Sequence, residues 1–119
     1  VGVNDPSAAK LYDENLRKVV EFSIEQGVIP ILSTKPDLRP GTEGHNDIVR
    51  QIAADYAVPL WDYELVAKTL PGRGLGPDGA HSTGFWQSDY GLALAYQRGH
   101  AMQSLTALMV IDQVWRALP

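Results

Sequence analysis

Val28-Ile29-Pro30-Ile31-Leu32 and Val58-Pro59-Leu60-Trp61 are two short apolar runs, and between them Asn46 to Tyr56 carries apolar residues at helical spacing. Strand, helix and strand in that order imply parallel pairing through a right-handed crossover. Ile48, Ile52 and Tyr56 form the stripe of the intervening helix, with Val49 and Ala53 beside it and Asn46 placed to cap it. The same rhythm extends outward. Upstream, Val1-Gly2-Val3 reads as a first strand that stops at Asn4-Asp5-Pro6, where Asp5 can cap a helix and Pro6 suits its first turn. In that helix Leu16, Val20 and Ile24 recur at four-residue spacing, Tyr12 and Val19 share their side, and Gly27 is placed to end it. Downstream, a short helix is expected at Tyr63 to Leu70, then a loop from Pro71 to Gly84. A long final helix is expected from about Tyr90 to Leu118, with Leu105, Leu108, Ile111, Val114, Trp115 and Leu118 on its apolar side, interrupted only by Gly91 and Gly99. The expected architecture is α/β: a three-layer α/β/α sandwich with a parallel sheet and helices on both faces.

At 119 residues the chain forms one domain at most, with no repeat and no linker. The 45% hydrophobic and 20% charged fractions are those of a soluble globular chain. No apolar run approaches the roughly 18 residues of a membrane span. A net charge of −4 without a Lys/Arg-dense stretch argues against a nucleic-acid or anionic-membrane surface. The absence of cysteine removes disulfides, thiolate metal sites and cysteine catalysis, and leaves the compartment open. Three short strands are fewer than a parallel sheet usually holds, which leads to the expectation of further strands upstream of Val1.

In such sheets ligands sit beyond the carboxyl ends of the strands. Asn4, Asp5, Ser33, Thr34 and Asp62 follow strands there. Asp78 and His81, in Gly76-Pro77-Asp78-Gly79-Ala80-His81-Ser82, lie in the last long loop. An imidazole titrating near neutral pH and a carboxylate that fixes its tautomer are a base and its orienter. A serine in a strand-to-helix elbow is missing; Ser33 and Ser82 are the chain's own candidates, and polarity or capping accounts for both. Taken singly, Pro-Asp-Gly is a turn former, and Asn4 and Asp5 are helix-entry residues. His45 and His100 stand at no metal-ligand spacing, so no metal is expected.

Gly2-Val3-Asn4-Asp5 followed by Asp78-Gly79-Ala80-His81 resembles the G-x-N-D and D-x-x-H blocks of the SGNH or GDSL family of esterases and related acyl hydrolases. The resemblance spans essentially the whole chain, 1–119, and implies a flavodoxin-like sandwich incomplete at its N-terminus, the C-terminal part of one such domain. It implies that His81 is the general base, Asp78 its orienter and the Asn4 amide an oxyanion-hole donor. No cofactor is implied. The family's G-D-S serine and its second oxyanion donor, a glycine, fall in blocks that precede G-x-N-D, so both are expected on a missing N-terminal segment of the same protein. The substrate class implied is a small-molecule ester, whether a simple ester, a lipid or an acylated carbohydrate. A secreted or periplasmic setting is slightly favoured by the resemblance alone.

Two other readings stand beside this one. A non-catalytic module on the same scaffold would bind a carbohydrate or another ligand. Phe85, Trp86 and Tyr90 could stack on sugar rings there, or equally anchor the loop to the core. Thr34-Lys35-Pro36-Asp37 imitates the N-K-x-D guanine motif, but no glycine-rich phosphate loop accompanies it, and a nucleotide-binding fragment leaves Asp78 and His81 unexplained.

Overall fold

The computed structural model describes residues 8–36, 40 and 42–119. In chain order they form α1 (Ala9–Glu25), β1 (Leu32–Ser33), α2 (His45–Asp55), β2 (Leu60–Trp61), α3 (Tyr63–Ala67) and α4 (Gly99–Ala117), with tight 3₁₀ turns at Pro71–Gly74 and Ala93–Gln97. β1 and β2 pair in parallel, Leu32 against Leu60 and Ser33 against Trp61, with α2 as the crossover. The strand–helix–strand order and parallel pairing of the central stretch therefore hold, but the expected runs Val28 to Leu32 and Val58 to Trp61 shrink to Leu32–Ser33 and Leu60–Trp61, and Val28 and Ile29 are exposed.

The three-layer sandwich does not. The chain is mostly helical and its described sheet has two strands of two residues each. The body is 41 × 40 × 19 Å. Helix, sheet and helix spaced about 10 Å apart would span about 25 Å, so the thin dimension holds fewer than three layers. One cause is visible in the sequence. Pro30 and Pro59 donate no ladder hydrogen bond, and at the two ends of the short ladder Leu32 N–H donates to Pro59 O (2.9 Å) and Thr34 N–H to Trp61 O (3.2 Å). The strand expected at Val1 to Val3, with Asn4 and the Asp5 cap after it, lies outside the described residues.

Both helix-to-strand junctions use one device. After α1, Gly27 adopts φ +74°, its N–H bonds to Ile24 O, and the Val28 N–H reaches back to Ser23 O. After α2, Ala57 takes φ +51° with the matching pair, Ala57 to Ala54 O and Val58 to Ala53 O. These left-handed closures satisfy the last carbonyls and turn the chain sharply toward the strand. At the other end of α2 the cap is Gly44 at φ +84°, not Asn46. The Asn46 side chain instead accepts from Lys35 N–H (2.9 Å) and donates to Lys35 O (2.8 Å), clipping the exit of β1 onto α2.

The main core joins α1, α2 and β1 through Tyr12, Leu16, Val20, Leu32, Val49, Ile52 and Ala53. Val20 and Ile52 are fully buried, each stabilising by roughly 1.5–3 kcal/mol. His45, also fully buried, stacks on Tyr12 with ring centroids 4.1 Å apart, and its Nδ1 lies 3.3 Å from Lys35 Nζ. Thr34 and Lys35 are buried in this framework, so the first two residues of the guanine-like motif are built into the core, while Asp37 lies outside the described residues. A second cluster of Phe85, Ala95 and Ala101 seats the last loop, with Tyr90 packed against it.

The final helix begins nine residues later than periodicity implies. Gly91 and Gly99 bracket an irregular segment, and only Gly99 onward is α-helical. Its apolar stripe is not a core face: Leu108, Ile111 and Trp115 are exposed, Trp115 at 74%. Val19, Phe22 and Ile24 of α1 and Val28 and Ile29 of the following segment are exposed too. An open apolar groove of about 580 Å³ runs between Ile24, Val28, Val58, Val114 and Leu118.

Candidate functional site

Leu75 and Ser82 form an antiparallel bridge, and between them the loop folds as a tight hairpin. Gly76 N–H donates to His81 O (2.7 Å) and Gly79 N–H to Gly76 O (3.0 Å). Gly79 at φ +68° supplies the left-handed step that a residue with a Cβ resists. This turn places Asp78 three residues before His81 with its carboxylate facing forward along the chain. Oδ1 accepts from the backbone N–H of Ala80 (3.1 Å) and His81 (3.0 Å), while Oδ2 meets His81 Nδ1 in a short hydrogen bond. The His81 ring N–H, and then the two backbone donors, hold the Asp78 carboxyl far below the usual carboxylate range. An Asp that stays ionised fixes the proton on Nδ1 and leaves Nε2 as the acceptor.

The hairpin is anchored at its base. Thr83 N–H donates to Gly74 O (2.8 Å), Thr83 Oγ1 accepts from Gly99 N–H (2.8 Å), and Thr83 O accepts from His100 N–H (3.0 Å). Gly74 and Gly99 touch backbone to backbone: a Cβ on Gly99 would lie 2.0 Å from Gly74 O. Tyr63 OH, donating to Gly99 O at 3.0 Å, ties the same point to α3. The dyad is therefore held by α4 and α3, although its own side chains are open to solvent, His81 at 80% exposure.

Pro77, Asp78, His81, Ser82, Thr83 and Arg98 are among the residues lining an open cavity of about 490 Å³. Among the described residues the hydrogen-bond partner of the His81 ring is Asp78 alone. Ser82 Oγ, one of the two internal nucleophile candidates, donates to Gln103 Oε1 at 3.3 Å. Ser33 Oγ, the other, donates to Thr34 O at 2.9 Å. At the carboxyl ends of the strands, Thr34 Oγ1 donates to Asp62 Oδ1 (2.7 Å) and accepts from Glu64 N–H (2.8 Å). Arg50 spans Asp62 and Glu64 with contacts of 2.6–2.9 Å. Asp62 is thus a structural carboxylate. Asn4, the expected oxyanion donor, lies outside the described residues.

The aromatic trio divides. Phe85 is buried and meets Tyr90 edge to face at 5.9 Å, and Tyr90 OH donates to Ala101 O, so those two anchor the loop. Trp86 is 92% exposed and its indole lies over Gly84, another residue of the cavity wall. Two features escape a reading of the sequence: Arg98, 17 residues from His81, lines the same cavity, and Thr83 joins the hairpin to α4. Only tertiary contact reveals either. Among the described residues no three His, Asp or Glu gather as a metal site, and no helix is long and apolar enough to cross a membrane. No family model, curated protein or solved structure matches the chain.

Proposed function

We propose that the chain carries the base half of a serine-type ester hydrolase of the SGNH kind, with the nucleophile on a segment outside these 119 residues. The observation that carries the reading is the Asp78–His81 contact in a glycine turn beside a cavity, with Nε2 left to face a reacting group. In the reaction, the serine Oγ attacks the ester carbonyl carbon as His81 Nε2 takes its proton. Asp78 stabilises the imidazolium so formed. The tetrahedral oxyanion collapses, the C–O bond to the alcohol breaks, and His81 returns the proton to the departing oxygen. Water then repeats the sequence on the acyl-enzyme, releasing acid and serine. Asn4 is assigned the role of oxyanion donor, worth roughly 3 kcal/mol in such sites. The uncovered apolar sides of α1 and α4 support a further segment of the same protein packing there.

The test is labelling by a fluorophosphonate and turnover of p-nitrophenyl acetate by the longer protein, against His81→Ala. The expected result is labelling and turnover in the parent and loss of both in the variant, with the isolated 119-residue chain inert. Labelling at an unchanged rate in His81→Ala refutes the assignment. Turnover by the isolated chain relocates the nucleophile to Ser33 or Ser82. The exposed Trp86 favours a second reading, a binding module without chemistry; that reading gains if the longer protein holds sugar and reacts with neither reagent.

A further inference from the structure

The cavity beside His81 has one cationic side chain in its wall. Arg98 is half-buried there, between the 3₁₀ turn and the first residue of α4, and forms no ion pair among the described residues. The other half-buried arginines among the described residues behave differently: Arg17 pairs with Asp13 and Asp55, Arg50 with Asp62 and Glu64, and Arg73 with Glu64. Asp78, the acidic residue in the same wall, has its carboxylate taken by three N–H donors of its own hairpin. An arginine left without a carboxylate in a concave site is suited to an anionic group on a ligand, which its planar fork can hold through two parallel hydrogen bonds. The indole of Trp86 lies over Gly84 of the same cavity wall and turns an exposed face to solvent, a platform for the flat side of a ring.

We infer that this cavity recognises a ring bearing a carboxylate, and that the ester taken by the proposed hydrolase is an acylated acidic sugar. Arg98 holds the carboxylate, Trp86 stacks on the ring, and the acyl group lies toward His81 Nε2. The substrate class rests on the hydrolase reading; the binding preference does not. It can be measured without turnover, by titrating the ¹⁵N-labelled protein with glucuronate and with glucose while following the amides of His81, Thr83, Gly84 and Arg98 and the Trp86 indole. Glucuronate is expected to bind about tenfold more tightly than glucose, an advantage that shrinks as salt is raised. Arg98→Gln should abolish the difference and Arg98→Lys should keep part of it, with circular dichroism establishing that both variants fold. Equal shifts with the two sugars, or a preference that survives Arg98→Gln, overturns the inference. Glucuronate binding through Arg98 in a protein that hydrolyses no ester removes the enzyme reading alone. Turnover of neutral and acidic esters at equal kcat/KM removes the specificity alone.

Discussion

Replacing Gly99 by alanine tests whether the backbone contact between Gly74 and α4 sets the Asp78–His81 hairpin. A Cβ at residue 99 falls 2.0 Å from Gly74 O and 2.9 Å from its carbonyl carbon. Both obstacles are backbone, so no side chain can rotate away. Relief requires α4 or the base of the hairpin to move by more than 1 Å, a distortion of the overpacking kind that costs about 1–3 kcal/mol. The same movement lengthens the bonds from Gly99 N–H and His100 N–H to Thr83, together worth about 2 kcal/mol. Acting the other way, alanine is a better helix former than glycine by at most about 1 kcal/mol. The clash wins. The expected destabilisation is about 2–4 kcal/mol, or roughly 8–16 °C in melting temperature for a chain of this size. Thermal unfolding by circular dichroism measures it, and ¹H–¹⁵N spectra should show the largest shifts at Asp78, His81 and Thr83. Gly76→Ala is the control, since its Cβ meets His81 O at an ordinary 3.5 Å, and should cost under about 1 kcal/mol. A Gly99→Ala protein that melts at or above the parent refutes the reasoning, because propensity would then outweigh a contact taken to be rigid.

Three other outcomes follow from named contacts. Ala57→Gly relieves the left-handed closure of α2 at φ +51° and should stabilise by about 0.5–1 kcal/mol in urea unfolding; Gly27→Ala, at φ +74° with no atom near its Cβ, should cost a similar amount. For Glu64, burial opposes ionisation, but donors from Arg50 and Lys68 outweigh it and hold the carboxyl at about 2, while Arg50, aided by Thr34, lowers Asp62 against a smaller opposing burial. Because these folded values lie below the unfolded ones, the stabilisation is complete above about pH 4.5 and is lost as pH falls toward about 2; urea unfolding of Arg50→Gln should show a flatter acid limb than the parent over that window. On the proposed hydrolase reading, Asp78→Asn in the longer protein should lower kcat for p-nitrophenyl acetate by about 10³-fold with little change in KM, since it disturbs the tautomer and orientation of His81 rather than substrate binding; an unchanged kcat would show that the carboxylate serves the turn alone.

What the sequence revealed and what it hid separate by range. The helix ends at Gly27 and after Tyr56, the parallel pairing of the two central strands, and the contact of Asp78 with His81 each depend on residues a few positions apart or on a single crossover. The Asn46 cap failed for an opposite reason. Asparagine at a helix start can bond forward to its own first turn or outward to another segment, and Lys35, 11 residues away, offered both a donor and an acceptor. Residue type does not decide between those partners. The Gly91–Gly99 interval shows a similar limit, because Gly99 serves first as the place where α4 must pass Gly74 without a Cβ, and the helix starts there.

The layer count is the larger lesson. Periodicity identified which side of α4 is apolar, yet Leu108, Ile111 and Trp115 remain exposed, so the period reports a face that favours burial without saying what buries it. A sandwich needs a sheet wide enough to separate two helix layers, and two strands of two residues cannot do that. The site divides along the same line. A base and its orienter three residues apart form within one hairpin, whatever the rest of the sheet does. A nucleophile and an oxyanion hole must come from other strands, and their position depends on the full width of the sheet. The Asp78–His81 pair is thus well formed on a body whose apolar sides are open, which is the ground for proposing that one further segment supplies both the remaining chemistry and the remaining burial.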